Sequence, residues 1–345
     1  MLSRTADHLF WMARYTERAE NTARMLDVHL QASLMPQSAE DIEQGWRALL
    51  GISELQHAYD AKYRNITARN AIDFLVRDPN NPSSIATCLT QARENARAVR
   101  GTLTTEVWEI QNATWLKMEG HLKTDALEKD PSDFFEWVKH RSHLSRGVTI
   151  GTMLQDEAFH FTRLGTFLER ADNTARILDV KFHASKENQH KLHQKKSQQQ
   201  NRQAALLRPD HIDIVQENNE PQVDFYYWAA ILRSVSGFEI YRKVYRDVIT
   251  PARVANLLML HPDMPRSLLA CMNGVMEHLK AVSNDNSANT ERFAGKLHAE
   301  LKFSNIDEIL EEGLHDYLSV FFDRIFELGN RISRDFLVPL APPTT

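Results

Sequence analysis

Apolar and small side chains recur at alternating spacings of four and three residues near the start of the chain. This spacing lines one side of an α-helix. The positions are Leu9, Met12, Thr16, Ala19, Ala23, Leu26 and Leu30. Because Ala19 and Ala23 are small, the backbone of a partner helix can approach closely there. The pattern predicts a long first helix packed against a neighbour.

The same pattern returns in the second half of the chain. Its positions are Phe161, Leu164, Leu168, Ala171, Ala175, Leu178 and Phe182. Residues 17–28 read ERAENTARMLDV and residues 169–180 read ERADNTARILDV, so ten of twelve positions are identical at an offset of 152. This identity indicates an internal duplication, and it predicts similar packing for the two helices.

The two halves also correspond downstream of these helices. At an offset of 182, the residues Trp46, Ala48, Leu50, Tyr59, Tyr63 and Arg64 match Trp228, Ala230, Leu232, Tyr241, Tyr245 and Arg246. At an offset of 183, the residues Pro79, Pro82, Ser84, Cys88, Ala98 and Val99 match Pro262, Pro265, Ser267, Cys271, Ala281 and Val282. We therefore predict a first helical repeat at residues 1–150 and a second at residues 151–345, within one continuous body.

The change of offset places an insertion at about residues 186–222. This segment is polar and rich in glutamine and lysine, so it has little apolar surface to bury in compensation for the entropy of ordering. We interpret it as a mobile polar loop within the second repeat.

The remaining segments also carry helical patterns, with proline-rich turn signals between several of them. The predicted helices are 38–57, 62–77, 82–118, 131–144, 154–185, 223–248, 251–260, 264–283, 288–301 and 306–337. The fold class is therefore all-α, a helical bundle made of two tandem pseudo-repeats. A pseudo-two-fold axis is the expected relation between the repeats.

Composition and charge narrow the classes of function. The net charge is −5 and the sequence pI is about 6.3, so no basic field attracts nucleic acid. The two cysteines, Cys88 and Cys271, lack the spacing of a zinc site, and their number fits a reducing cytoplasm. No apolar run is long enough to span a membrane. We expect a cytoplasmic protein without nucleic-acid or membrane partners.

Polar residues form a matched stripe on the two duplicated helices. Glu17, Asn21 and Arg24 share one face of the first helix, and the second helix repeats them as Glu169, Asn173 and Arg176. Three interpretations are open: a buried architectural network, a site that binds a carboxylate or phosphate through its arginines, or a solvated helix face. Because both copies keep these residues, we favour a buried or cleft-lining network.

Other polar residues are secondary candidates for the same network. They are Arg93, Glu94, Arg97, Arg233 and Glu239. For any single pair among them, a surface salt bridge is the simpler interpretation.

Histidines offer only weak signs of a metal site. Residues His183, His190 and His193 are scattered in or beside the polar insertion, and the run from Asp156 to His160 contains one histidine where the HExxH zinc pattern has two. No phosphate-binding loop or nucleophile motif occurs in the sequence. We therefore predict no cofactor and no metal.

Four segments resemble those of the bacterial alpha-E proteins, an α-helical family named for its Glu-Arg motif. These segments are ARYTERAENTARMLDV, FTRLGTFLERADNTARILDV, ARENARAVRGTLTTEVWEIQN and ILRSVSGFEIYRKVY. The resemblance covers nearly the whole chain, apart from the long polar insertion. By this resemblance, the family's Glu-Arg motif corresponds to Glu17-Arg18 and Glu169-Arg170.

The resemblance also implies partners. Alpha-E proteins are typically encoded beside, or fused to, circularly permuted ATP-grasp proteins, and often near transglutaminase-like peptidases. One hypothesis is therefore an accessory helical partner of such a ligase in small peptide or amide-bond synthesis or modification. The alternative is an enzyme in its own right, in which Glu17 or Glu169 acts as general acid or base beside the arginines in a transfer or hydrolysis step.

Overall fold

The computed structural model describes the backbone of residues 1–34, 38–204 and 220–337, and the side chains of residues 1–34, 38–180 and 225–337. Within these ranges the chain forms α-helices and no strands, which confirms the all-α prediction. The helices of the first half are α1 (Ser3–Ser33), α2 (Ala39–Ile52), α3 (Gln56–Asp60), α4 (Ala68–Arg77), α5 (Ile85–Ala98), α6 (Thr105–Leu122), α7 (Ala126–Lys129) and α8 (Pro131–Thr152). Those of the second half are α9 (Glu157–Ala204), α10 (Glu220–Ser234), α11 (Phe238–Tyr245), α12 (Pro251–Leu260), α13 (Leu268–Ala281), α14 (Ala288–Phe303), α15 (Ile306–Glu312) and α16 (Leu314–Phe336).

Helices α1 and α9 form the centre of the bundle. They pack against each other, α5 and α8 pack on α1, and α13 and α16 pack on α9. Most of the predicted apolar positions that the structure describes in the two helices are buried, and Ala19, Ala23, Ala171 and Ala175 are fully buried. The duplicated helices therefore meet in the interior of the protein.

A glycine allows a close approach between the two central helices. A Cβ atom added to Gly165 of α9 would lie 2.3 Å from the carbonyl oxygen of Phe10 in α1. Because that neighbour is backbone, a larger residue would push the helices apart. The absence of a side chain at Gly165 thus allows the backbone of α9 to lie close to that of α1.

Side-chain caps begin several of the surrounding helices. Ser84 accepts a hydrogen bond from the backbone of Thr87 at the start of α5, and Ser267 accepts one from Ala270 at the start of α13. Such caps satisfy backbone N–H groups that have no partner inside the helix. The two capping serines are matched positions of the duplicated sequence.

Several predicted helices are interrupted in the structure. The predicted helix 82–118 ends at Ala98 and resumes after Thr104, whose side chain caps α6. The segment 223–248 breaks before Gly237, and the segment 306–337 breaks at Gly313, which has φ of 117°. Glycine adopts this left-handed region at little cost, so these breaks follow from local turn chemistry that the apolar periodicity does not report.

The interpretation of residues 186–222 as a loop is wrong for the residues that the structure describes. Helix α9 continues through residue 204, and residues 220–222 belong to α10. The sequence from residue 166 to residue 208 contains no glycine or proline, and glutamine, lysine, glutamate and alanine are good helix formers. Residues 205–219 lie outside the described residues, as do the side chains of His183, His190 and His193.

None of the helices in the described ranges is long and apolar enough to cross a bilayer.

Candidate functional site at the crossing of the motif helices

The two Glu-Arg pairs bind each other across the contact of α1 and α9. Arg170 Nε donates to Glu17 Oε1 over 2.9 Å, and its Nη2 donates to Oε2 over 3.1 Å. In return, Arg18 Nε donates to Glu169 Oε1 over 2.6 Å, and its Nη2 donates to Oε2 over 3.1 Å. Both contacts are bidentate, which is the strongest arrangement of this ion pair. We call these four residues the reciprocal clasp.

The sequence order of the motif explains why the clasp is reciprocal. Adjacent residues on an α-helix point about 100° apart, so each motif presents an acid and a base in different directions. Where α1 and α9 cross closely, the acid of each motif meets the base of the other. Glu17, Glu169 and Arg170 are buried, and Arg18 is partly exposed. The clasp therefore bridges two helices from opposite halves of the chain inside the protein.

Three further arginines extend the network around Glu17. Arg266, in the loop before α13, donates to Glu17 Oε1 over 2.9 Å, to Asn21 Oδ1 over 2.8 Å and to Glu20 Oε1 over 2.6 Å. Glu20 also contacts Arg146 of α8 and accepts from Arg24 Nε over 2.8 Å. Two buried carboxylates are thus surrounded by four guanidinium groups, from Arg24, Arg146, Arg170 and Arg266.

Glu169, at the other end of the clasp, has different partners from Glu17. Glu169 Oε2 accepts from Arg14 Nε over 2.7 Å in addition to its bonds from Arg18. The residue matched to Arg266 in the first half is Ser83, which has no guanidinium group. Asp172, matched to Glu20, accepts from Arg176 Nε over 2.9 Å, at the edge of the network. The positive charge is therefore concentrated around Glu17 and Glu20.

These arginines keep the buried carboxylates ionised. Burial alone would raise the pKa of Glu17, but the nearby Arg170, Arg266 and Arg146 outweigh burial and hold that pKa far below its ordinary value of 4.5. Burial opposes the arginines around Glu20 and Glu169 as well, and the net pKa of each carboxyl falls to about 2. At neutral pH these glutamates are anions that neither donate nor readily take up a proton.

The sequence matches one protein family over residues 1–337, that of Alpha-E, a predicted alpha-helical domain with a conserved ER motif. The chain belongs to the Alpha-E family. The resemblance seen in the four sequence segments is thereby confirmed. The E and R of that description are the letters of glutamate and arginine, which occupy the reciprocal clasp here.

Two uncharacterized mycobacterial proteins are similar to this Alpha-E chain. One is from Mycobacterium bovis (strain ATCC BAA-935 / AF2122/97) and the other from Mycobacterium tuberculosis (strain CDC 1551 / Oshkosh), and each is 30% identical over 333 residues. The match covers 89% of this chain but only 33% of either relative. The Alpha-E chain thus spans about a third of the length of these curated relatives. No solved structure matches it.

The structure brings most of the candidate stripe into two neighbouring groups of ion pairs and hydrogen bonds. Glu17, Asn21, Arg24 and Arg170 are joined through Glu20 and Arg266, while Arg18 and Glu169 pair with each other. Asn173 is buried beside them. Arg176 lies at the edge, where it contacts Asp172 and Glu54.

The secondary candidates lie apart from the clasp. Arg93 contacts Glu94 and donates to Asn112, and its guanidinium also lies over the Trp115 ring at 4.7 Å. Arg97 donates to Glu94. Arg233 stacks over Phe238 at 5.0 Å, and Glu239 is exposed. These residues lie on α5, α10 and α11, and their contacts involve no residue of the reciprocal clasp.

Three arginines of the network, Arg14, Arg146 and Arg266, were not predicted from the sequence. The internal repeat gave no signal for Arg14 or Arg266, because the residues matched to them are not arginines. Arg14 corresponds to Thr166 and Arg266 to Ser83. Comparing the halves therefore finds the shared clasp and misses the residues that make its two ends different.

In the described part of the chain, no group of three or more histidine, cysteine, aspartate or glutamate side chains is arranged to hold a metal ion. Both cysteines are buried beside the clasp, and burial is the main cause that raises the pKa of each thiol to about 12. They are therefore protonated and unreactive at neutral pH.

Proposed function

We propose that this Alpha-E chain is an accessory helical protein that acts with a circularly permuted ATP-grasp ligase in small peptide or amide-bond synthesis or modification. A transglutaminase-like peptidase is a second proposed partner. Family membership supports this function, as does the length of the mycobacterial relatives, in which the matched region accompanies about twice as much additional sequence. In these relatives the matched region lies beside other sequence, which fits a role beside another domain or protein.

The reciprocal clasp is the observation that carries a non-catalytic role. Its carboxylates are buried, each is bound by at least two arginines, and their pKa values lie far below neutral pH. General acid or base catalysis works best when the pKa of the group lies near the working pH. The clasp geometry instead joins two helices, so we assign Glu17 and Glu169 an architectural role.

The enzymatic alternative loses support for the same reason. It assigns proton transfer to Glu17 or Glu169, and both carboxylates are held as anions by their arginines. An active site in this chain would need another group as its acid or base. We therefore place catalysis on the ligase and support of the assembly on this chain.

We also infer that the bundle consists of two pseudo-repeats related by a pseudo-two-fold axis. The reciprocal form of the clasp supports this inference, because a two-fold operation exchanges Glu17 with Glu169 and Arg18 with Arg170. Matched residues also play matched roles: the hydroxyl of Tyr59 donates to the carbonyl of Asn65, and that of Tyr241 donates to the carbonyl of Val248. Helix α2 packs on α9 while α10 packs on α1, which favours one continuous body.

Co-elution tests the proposed partnership. The purified chain is mixed with a circularly permuted ATP-grasp protein from the same organism and analysed by size-exclusion chromatography, and ADP release is measured for each protein alone and together. We expect a shared elution peak and no ADP release by this chain alone. A conventional ATP-grasp ligase serves as the control and is expected to elute separately.

Two results would contradict the proposal. Separate elution of this chain and the circularly permuted protein would remove the partnership. Turnover of a peptide or amide substrate by the isolated chain would favour the enzymatic alternative instead.

A further inference from the structure

A small polar cavity lies beside the reciprocal clasp, where α1, α6, α8 and α9 meet. It offers about 30 Å³ to a water-sized molecule, which is room for about two waters. Six hydroxyl side chains line it: Thr16, Ser142, Ser145, Thr149, Thr162 and Thr166. Two arginines, Arg146 and Arg163, also line it and are only partly buried, so they connect the cavity to the surface.

Arg163 has no anionic partner at this cavity. Among the described residues it forms no hydrogen bond or salt bridge, and its guanidinium lies over the ring of Phe167 at 4.6 Å. Burial, followed by repulsion from Arg170 and Arg146, lowers the pKa of Arg163 to about 10. A guanidinium that is partly removed from water without a counterion opposes folding. A bound anion would compensate for this cost. The position of Arg163 is therefore better explained by ligand binding than by a contribution to the stability of the fold.

The charge around the cavity is strongly positive. Five guanidinium groups, those of Arg24, Arg146, Arg163, Arg170 and Arg266, surround the two carboxylates of Glu17 and Glu20. The remaining carboxylate that acts on Arg163 is Glu277, which is exposed. Glu17 lines the cavity, but Arg170 and Arg266 already bind its oxygens. The excess charge is therefore free to act on a bound anion.

The hydroxyl groups supply further donors. Ser145 Oγ accepts from Gln111 Nε2 over 2.9 Å, and its own proton has no acceptor among the described residues. Thr162 and Thr166 donate to carbonyl oxygens of their own helix, and each can rotate its proton toward an oxygen in the cavity. The combination of guanidinium and hydroxyl donors suits an oxyanion.

We propose that this cavity binds the carboxylate group of a small molecule, with its two oxygens between Arg146, Arg163 and the Ser145 hydroxyl. The planar carboxylate matches a space for about two waters, and guanidinium groups bind it through charge-assisted hydrogen bonds. This site stands without the ligase partnership, because it rests only on groups within this chain.

Thermal unfolding during an acetate titration tests the site, with chloride used to hold the ionic strength constant. A ligand that binds only the folded state at ten times its dissociation constant raises the unfolding midpoint, because the folded state gains about an elevenfold advantage. We expect a saturable rise for the wild type. N-acetylglycine replaces acetate in a second arm, in which a rise shows that the mouth admits a carboxylate carried on a peptide group.

Three variants make the test specific. Arg163→Gln is expected to weaken acetate binding at least about tenfold through loss of a charge-assisted bond, while its unfolding midpoint without acetate stays equal to or above that of the wild type. Thr162→Val removes a cavity hydroxyl at similar shape and is expected to weaken binding as well. Arg47→Gln alters an exposed ion pair far from the cavity and is expected to bind acetate like the wild type.

Several outcomes would overturn the proposal. An equal rise in all four proteins would show a general salt effect, and no saturable rise would show a cavity that holds only water. A rise with phosphate but not with acetate would assign the cavity to a tetrahedral oxyanion. A large loss of stability in Arg163→Gln without acetate would assign Arg163 a structural role.

Discussion

Replacing Glu17 by glutamine is expected to lower the free energy of unfolding by about 3–5 kcal/mol, the usual cost of removing one partner of a buried ion pair. The substitution keeps the shape of the side chain and removes its charge. Arg170 and Arg266 donate to this carboxylate inside the protein, so both guanidinium groups would lose a buried counterion. Denaturant unfolding followed by circular dichroism measures the change.

The matched control is Glu43→Gln. Glu43 also pairs with an arginine, Arg47, but within one helix, and both side chains are about half exposed. Exposed pairs of this kind contribute about 0.3–0.5 kcal/mol, so the control should unfold close to the wild type. A loss below about 1 kcal/mol for Glu17→Gln would mean that the clasp does not hold the two central helices together.

Acid is expected to destabilise the protein steeply between pH 4.5 and about pH 2. Glu20 and Glu169 have a pKa of about 2 in the folded protein, against an ordinary value of 4.5. A lowered folded pKa contributes stability above pH 4.5, and that stability is lost as the pH falls toward the folded pKa. Each carboxyl contributes on the order of 3 kcal/mol by this linkage, which denaturant midpoints across the pH range would measure.

Glu169→Gln separates the clasp from ordinary acid denaturation. The variant is less stable at pH 7 because Arg14 and Arg18 lose their counterion. It no longer titrates at this position, so its stability should fall less than that of the wild type between pH 4.5 and pH 2. Parallel curves for the two proteins would contradict the low pKa of Glu169.

The central helices could be predicted from the sequence because their apolar spacing and duplication are local signals. The stripe of Glu17, Asn21 and Arg24 was identified in the same way. Helical periodicity tells which side of a helix a residue faces, but it does not tell which distant residue meets it. The pairing of Glu17 with Arg170, rather than with an arginine of its own helix, therefore emerged only from the structure.

The predictions that differ from the structure failed because they too rested on local sequence signals. The segment from about residue 186 is predicted as a loop because it is polar, but helix propensity without glycine or proline continues α9 to Ala204. Arg266 falls inside the predicted helix 264–283, whereas α13 begins only at Leu268, so the sequence did not predict its position in a loop beside Glu17. Arg163 lies at the position matched by Trp11, so the repeat comparison could not reveal the cationic cavity.

The clasp and the cavity have different proposed roles in the polar interior. The clasp neutralises two glutamates with arginines of the opposite motif and fixes α1 against α9. The cavity beside it is lined by Arg163, which lacks such a partner. The proposed architectural role thus explains the motif residues, and the proposed carboxylate site explains the positive charge that the motif leaves unbalanced.

A double-mutant cycle between Glu17 and Arg170 tests the central claim most directly. The free energy of unfolding is measured for Glu17→Ala, Arg170→Ala, the double variant and the wild type. We expect a coupling energy of about 2 kcal/mol or more, larger than the coupling between Glu17 and Arg18 of the same motif. Additivity within about 0.5 kcal/mol for Glu17 and Arg170 would contradict the reciprocal clasp.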